Sequence, residues 1–206
     1  MRQSSVEAVC KRMLDIAGAL AALAVLWPVM AAVALIIFLT MGRPVVFRQV
    51  RPGQYGKPFM LLKFRTMIES QSSEIDTSTD VERLTRVGSI LRRFSLDELP
   101  QLWNVLMGEM SLVGPRPLLM EYLNLYTPDQ AKRHLMKPGM TGLTQVKGRN
   151  AITWKQKFLW DTWYVDHWSF WLDLRILLST FGKVIRQEDI RQPGHATIEK
   201  FGAERR

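Results

Sequence analysis

Ile16 to Gly42 runs for 27 residues without a charged side chain. As one straight helix, at ~1.5 Å per residue, it is roughly 40 Å long and able to cross a bilayer. Pro28 falls near its middle, where a ring and a missing N–H predict a kink or break. Arg2, Lys11 and Arg12 precede the run, and Arg43, Arg48, Arg51, Lys57, Lys63 and Arg65 follow it. No acidic residue occurs from Gly42 to Ile68. A spanning helix normally has one flank poor in Lys and Arg, whereas here both flanks favour the cytoplasmic face. Two readings stand on these residues: a single span, or a segment that dips in, turns near Trp27-Pro28 and returns. The second requires internal partners for the backbone groups freed at Pro28. A cleaved signal peptide fits less well, because apolar residues continue past the cleavage-like Ala32-Val33-Ala34.

Pro44 to Met67 predicts a basic β-hairpin. Val45, Val46, Phe47 and Val50 form one apolar run, Pro52-Gly53-Gln54-Tyr55-Gly56 supplies the turn, and Phe59 to Phe64 returns. Glu69 to Asp80 reads as a loop. Over Glu82 to Phe94, Leu84, Val87, Ile90, Leu91 and Phe94 share one helical face, with Arg83, Arg86, Arg92 and Arg93 elsewhere. Leu118 to Met136 predicts a helix interrupted at Thr127-Pro128, followed by a glycine-bearing loop, Lys137 to Gly142. Five of the seven tryptophans lie between Trp154 and Trp171. Such a cluster beside an apolar segment predicts placement at a membrane–water boundary; each ring singly is equally a core residue. Leu172 to Ile185 continues as an amphipathic helix, and a polar tail follows from Gln187.

The 206 residues suffice for one domain with a real core and a small appendage. Lys and Arg total 28 against 19 Asp and Glu, a formal +9, which implies an anionic partner without choosing it. One cysteine, Cys10, excludes an intramolecular disulfide, and three scattered histidines disfavour a zinc site. No nucleic-acid recognition motif is present.

The candidate chemistry lies in Ser95–Pro117. Asp97-Glu98 stands at a predicted helix start, and Arg116 follows between Pro115 and Pro117. Adjacent helical residues point about 100° apart, so the two carboxylates do not flank one atom as paired glycosidase acids do. Different roles are expected of them. Pro100 is best accommodated with Asp97 at the N-cap or in the first turn, where free N–H groups stabilise a carboxylate or a phosphoryl group. A capping aspartate without catalysis and a plain surface arginine remain the alternatives. In the same way, Lys63 and Arg65 are either diphosphate contacts or cations near lipid headgroups.

Lys63-Phe64-Arg65-Thr66-Met67, the run S-L-D-E-L-P-Q-L-W-N-V-L-M-G-E-M-S-L-V-G-P-R-P and P-G-M-T-G-L-T-Q-V-K-G-R-N together resemble the bacterial sugar transferase family, the monotopic polyprenyl-phosphate phosphoglycosyl transferases. G-R-N-A-I-T-W and the tail G-H-A-T-I-E-K-F look most like its N,N′-diacetylbacillosamine-1-phosphate transferases of protein glycosylation. The resemblance implies transfer of a sugar-1-phosphate from a UDP-sugar to undecaprenyl phosphate through a phosphosugar–aspartyl intermediate, at the cytoplasmic face of the bacterial inner membrane. Asp97 is then the nucleophile, and Glu98 a metal ligand or proton handler. Arg116 grips phosphate, with Lys63, Arg65 and Arg149 as further phosphate or nucleotide contacts. Mg²⁺ is implied, held by Glu98 and Asp97. The fold implied is mainly α with a small β element. It comprises a re-entrant helix-break-helix hairpin over 1–43, broken at Pro28, a catalytic domain with interfacial helices over 44–186, and a polar tail over 187–206. Trp27 stands where relatives often carry a serine, so the hydrogen bonding of that turn is unaccounted for.

Overall fold

The computed structural model describes residues 5–68, 83–148, 152–186 and 201. The loop expected at Glu69 to Asp80, Arg149 and all of the tail except Phe201 lie outside these residues. Helix α1, Ser5–Met41, carries Pro28 inside it. The chain therefore does not leave the helix at Pro28, contrary to the expected helix-break-helix. Packing on both sides of the proline offsets its one missing hydrogen bond. Ala19, Ala22 and Leu23 join one apolar cluster, and Met30, Val33 and Ile37 join another. Its other faces stay open, with Val25 and Trp27 exposed. Among the described residues it is the one helix long and apolar enough to cross a membrane.

The hairpin forms as expected. Strand β1, Val46–Pro52, pairs antiparallel with β2, Pro58–Phe64, from Val46 opposite Phe64 to Pro52 opposite Pro58. On β2, the two-residue period puts Phe59, Leu61 and Lys63 on one face. Phe59 and Leu61 meet Leu102 and Val105 of α3, Gln101–Met107, in the first core cluster. Lys63 is the next position on that face, where the core gives way to the carboxylates. Phe64 buries on the opposite side, with Val33, Ile37 and Leu91. Helix α2, Arg86–Arg93, is shorter than its apolar pattern and is capped by Thr85. Gly88 lies so close to the Thr66 carbonyl that a side chain there would collide with it.

Strand β3, Ser111–Val113, runs parallel to β4, Gly139–Thr141, which occupies the expected glycine loop. The expected helix over Leu118 to Met136 is replaced by three short pieces: a 3-10 segment Met120–Leu125, the one-turn helix α4, Pro128–Ala131, and a 3-10 segment Lys132–Leu135. The interruption at Thr127-Pro128 is present because Thr127 and Gln130 form a capping box there. Helices α5, Leu143–Lys147, α6, Trp154–Asp166, and α7, Phe170–Arg186, complete the fold. The tryptophan cluster divides. Trp163 and Trp171 are exposed, while Trp160 and Trp168 pack around buried Tyr164 and Ile176. Leu178 and Phe181 extend the exposed apolar surface along α7.

Candidate active site

Asp97 is not the N-cap of a regular helix. Ser95 takes a left-handed conformation, φ 55°, and Leu96–Glu98 form a 3-10 turn. Pro100 then acts as N-cap of α3. Pro100 has no N–H to continue the α-helical ladder, so the frame closes by shorter bonds, Leu99 N to Leu96 O and Leu102 N to Leu99 O. This tight turn buries Asp97 to 7% exposure. Asn104, 1% exposed, staples α3 to β2: its Oδ1 accepts from Leu62 N at 3.1 Å and its Nδ2 donates to Met60 O at 2.8 Å. The turn is thereby held against the Lys63 end of the strand.

The acidic pair is electrostatically asymmetric. Glu98 Oε1 accepts from Lys63 Nζ and Arg116 NH2, each at 2.7 Å. Lys63 Nζ lies 3.9 Å from Asp97 Oδ2, beyond hydrogen-bond reach. Burial alone would raise the Glu98 carboxyl, but Arg116 and Lys63 overcome it and hold Glu98 well below the usual carboxylate range. Burial pushes Asp97 up; Lys63 pulls against this and the Glu98 charge adds to it, leaving a net rise. The arrangement thus pairs a permanently ionised Glu98 with a more basic Asp97. An acid held this strongly ionised is poorly suited to carrying a proton, which weighs against the proton-handling role considered for Glu98.

Arg116 reaches the pair from the loop after β3. Gly114 N donates to Thr141 O at 2.9 Å and Gly139 N to Pro115 O at 3.0 Å. The two backbones approach so closely that side chains at Gly114 or Gly139 would overlap the opposite strand. The Arg116 carbonyl accepts from Arg133 NH2 at 2.7 Å. Arg133 is 2% exposed and pairs with Asp161 Oδ2 through Nε at 3.1 Å and NH2 at 2.7 Å. Asp161 also accepts from Thr144 Oγ1.

Lys63, Asp97, Glu98 and Arg116 therefore come together, and Arg65 does not join them. Its guanidinium donates to the carbonyls of Met41, Gly42 and Arg43, closing the end of α1. Arg149 lies outside the described residues, and exposed Pro28 belongs to α1. Asn104, Arg133 and Asp161 support the site without having been singled out in the sequence; a lone buried partner far along the chain leaves no local pattern. Among the described residues no three His, Cys, Asp or Glu side chains cluster. A carboxylate pair suits Mg²⁺, which keeps waters and takes phosphate oxygens beside one or two carboxylates. Glu98 Oε1 is already occupied, which leaves Oε2 and the Asp97 oxygens.

Residues 6–187 match the family described as Bacterial sugar transferase. The chain is 51% identical over 193 residues to the uncharacterized sugar transferase EpsL of Bacillus subtilis, covering 94% of this chain and 96% of that one. It is 41% identical over 189 residues to the UDP-glucose:undecaprenyl-phosphate glucose-1-phosphate transferase of Caulobacter vibrioides, covering 87% and 71%. It is 37% identical over 195 residues to the UDP-galactose-lipid carrier transferase of Erwinia amylovora, covering 86% of this chain but 41% of that one.

Proposed function

The chain belongs to the bacterial sugar transferase family, and from that premise we propose that it moves a sugar-1-phosphate from a UDP-sugar to undecaprenyl phosphate, releasing UMP. The observation that carries the reading is the asymmetric pair: one buried carboxylate kept ionised by two cations, beside one made more basic. An Asp97 oxygen attacks the sugar-bearing phosphorus, and the bond from that phosphorus to the UMP oxygen breaks. UMP leaves with the electron pair, and the phosphosugar remains on the carboxylate. An oxygen of undecaprenyl phosphate then attacks the same phosphorus and the Asp97 carboxylate departs. Charge balances across the two steps without a net proton, so permanently ionised Glu98 need not act as acid or base. It holds Lys63 and Arg116 where charge develops on the transferring phosphoryl group. Mg²⁺ bound by Glu98 and Asp97 would neutralise diphosphate charge and stabilise the leaving UMP.

A placement at the membrane surface, with both ends of α1 on one side, is part of the proposal. Near the start of α1, Lys11 Nζ donates to Val113 O at 3.0 Å and to Asp173 Oδ2 at 2.5 Å. At its other end, Arg65 holds the last carbonyls. Both ends dock on one polar body, which supports keeping them on the same side of the hydrocarbon layer. The exposed apolar sides of α1 and α7 then meet lipid, and the site lies where a soluble nucleotide and a lipid phosphate meet, on the cytoplasmic face. For the sugar, the tail resemblance favours an N-acetylated amino sugar such as UDP-N,N′-diacetylbacillosamine, and a place in protein glycosylation. Relatives carry glucose and galactose in their names. A panel of UDP-sugars containing all three, assayed with undecaprenyl phosphate and Mg²⁺ for UMP release, tests the reading. UMP release that needs Asp97 and yields a lipid diphosphosugar supports it; no release with any member of the panel sinks it.

A further inference from the structure

Arg116 is bound to Glu98 through one nitrogen, and its side chain remains 42% exposed. Two more cations, on elements that the reaction steps above do not use, lie within electrostatic range of it. Arg51, near the end of β1, donates through NH2 to Gln49 Oε1 at 2.6 Å, and its buried Nε has no partner. Lys157 lies on α6 one turn before Asp161, so it shares a face with the carboxylate that holds Arg133 and, through Arg133, the Arg116 carbonyl. Lys157 is 7% exposed, and its ammonium stands 4.5 Å from the centre of the Trp154 ring. Among the described residues no carboxylate forms an ion pair with it. Burial, and next to it the Arg116 charge, draws Arg51 down to about 10 and Lys157 to about 8. Tyr122 and Glu121 oppose it more weakly at Arg51, and Asp161 does so at Lys157. Cations that repel one another become favourable neighbours when a multiply charged anion enters.

We infer that Arg51, Arg116 and Lys157 together grip the diphosphate of the nucleotide sugar, with Arg116 linking that grip to the Asp97-Glu98 pair. The inference rests on the phosphosugar-transfer reading and adds two residues to it. Among the described residues, Asp173, which accepts from Tyr164 of α6, is paired with Lys11, and other charged groups on elements packed against α6 are engaged as well. Asp129 pairs with Lys132 at 2.7 Å, Arg133 with Asp161, and Lys147 lies over Trp160. His134 is held neutral, drawn by burial down to about 4. Lys157 is therefore the group among these whose charge changes near pH 8.

The test is calorimetric titration of the full chain in detergent with UDP across pH 6.5–9.5, beside UMP-release kinetics. Wild-type affinity is greatest below about pH 8 and weakens above it, as the ammonium is lost. Lys157→Arg keeps the affinity and flattens the pH profile. Lys157→Met weakens UDP binding and raises KM for the nucleotide sugar by roughly ten- to a hundredfold, the range of a charge-assisted hydrogen bond. Thermal midpoints establish that both variants are folded; if Lys157→Met unfolds, the flattened Lys157→Arg profile decides. A wild type that turns over, together with Lys157 variants that keep its affinity and pH profile, overturns the inference and leaves the transferase reading standing. A wild type that neither binds UDP nor releases UMP overturns both.

Discussion

Replacing Arg133 by methionine tests whether the Arg116 loop is held from behind. Arg133 and Asp161 have side chains 2% and 4% exposed, joined at 2.7 Å. The substitution keeps much of the aliphatic volume but removes both bonds to Asp161 and the donor to the Arg116 carbonyl. Asp161 is left as a buried charge with Thr144 as its remaining hydrogen-bond donor side chain. Breaking one side of such a pair costs about 3–5 kcal/mol. At roughly 2–4 °C per kcal/mol for a chain of this size, the thermal midpoint falls by about 6–20 °C. Adding Asp161→Asn removes the stranded charge while keeping an acceptor for Thr144, so the double variant recovers most of the loss. Stability is read from tryptophan fluorescence on heating in detergent, and UMP release is measured well below the variant's midpoint. There both variants still show raised KM for the nucleotide sugar, because neither restores the donor to Arg116 O. A single variant within about 1 kcal/mol of wild type, or a double variant no better than the single, refutes the argument.

Asp97→Asn abolishes UMP release and any phosphosugar adduct seen by intact mass. Its thermal midpoint stays at or above wild type, because the fold disfavours the charged form it removes; full turnover in this variant removes Asp97 from the nucleophile's place. Turnover falls as pH drops through the raised Asp97 value, since only the carboxylate attacks. In Glu98→Gln, carbon-13 titration of the Asp97 carboxyl moves to lower pH, because a repelling charge has gone and Lys63 is released; an unmoved titration counts against the coupling. Gly139→Ala forces its methyl into the Gly114 backbone and destabilises the β3–β4 pair, whereas Gly182→Ala meets nothing within 4 Å and stabilises α7 by about 0.5–1 kcal/mol. Unfolding midpoints that fail to separate the two remove the close-approach argument. In intact spheroplasts, an impermeant thiol reagent labels neither exposed Cys10 nor a cysteine placed at exposed Lys132 (in a Cys10→Ser background), and both react once the membrane is opened; labelling of one without the other in intact spheroplasts excludes the one-sided placement.

The hairpin was legible because its signals are local: two apolar runs, a turn rich in Pro and Gly, and a two-residue period. The α6 start has an equally local signal, the Thr153–Gln156 capping box, but the tryptophan pattern dominates that stretch and no helix start was expected there. Contiguity also made Asp97, Glu98 and Arg116 visible. Strands β3 and β4 were not legible, because three residues each, with a long connection between them, form no periodic pattern. Their pairing depends on Gly114 and Gly139 meeting across space. Of the two places expected for Asp97, N-cap or first turn, the chain takes the second, in a 3-10 turn rather than a regular helix, because Pro100 breaks the α-helical ladder there. Lys157 and Arg51 carried no signal because each becomes informative only through Arg116.

The flanking charges of α1 show how a correct count can rest on side chains with other duties. Lys11 and Arg12 entered the sequence argument as cations that keep the N-terminal end on the cytoplasmic side. Yet Lys11 is 8% exposed and bound to Asp173, and Arg12 donates to Val105 O and Leu106 O at the end of α3 at 2.6 and 2.7 Å. Arg65 is spent in the same way at the other end of the helix. Three of the nine counted cations therefore fasten α1 to the body rather than face a lipid headgroup, and they do so at both of its ends. That makes the argument for a one-sided placement mechanical as well as electrostatic. Moving either end across a bilayer would break a buried pair or uncover helix carbonyls, in addition to carrying charge through hydrocarbon. The same fastening serves the chemistry. Lys11 donates to Val113 O, one residue before the Gly114-Pro115-Arg116 turn, so the helix that meets the membrane also anchors the strand from which Arg116 reaches Glu98.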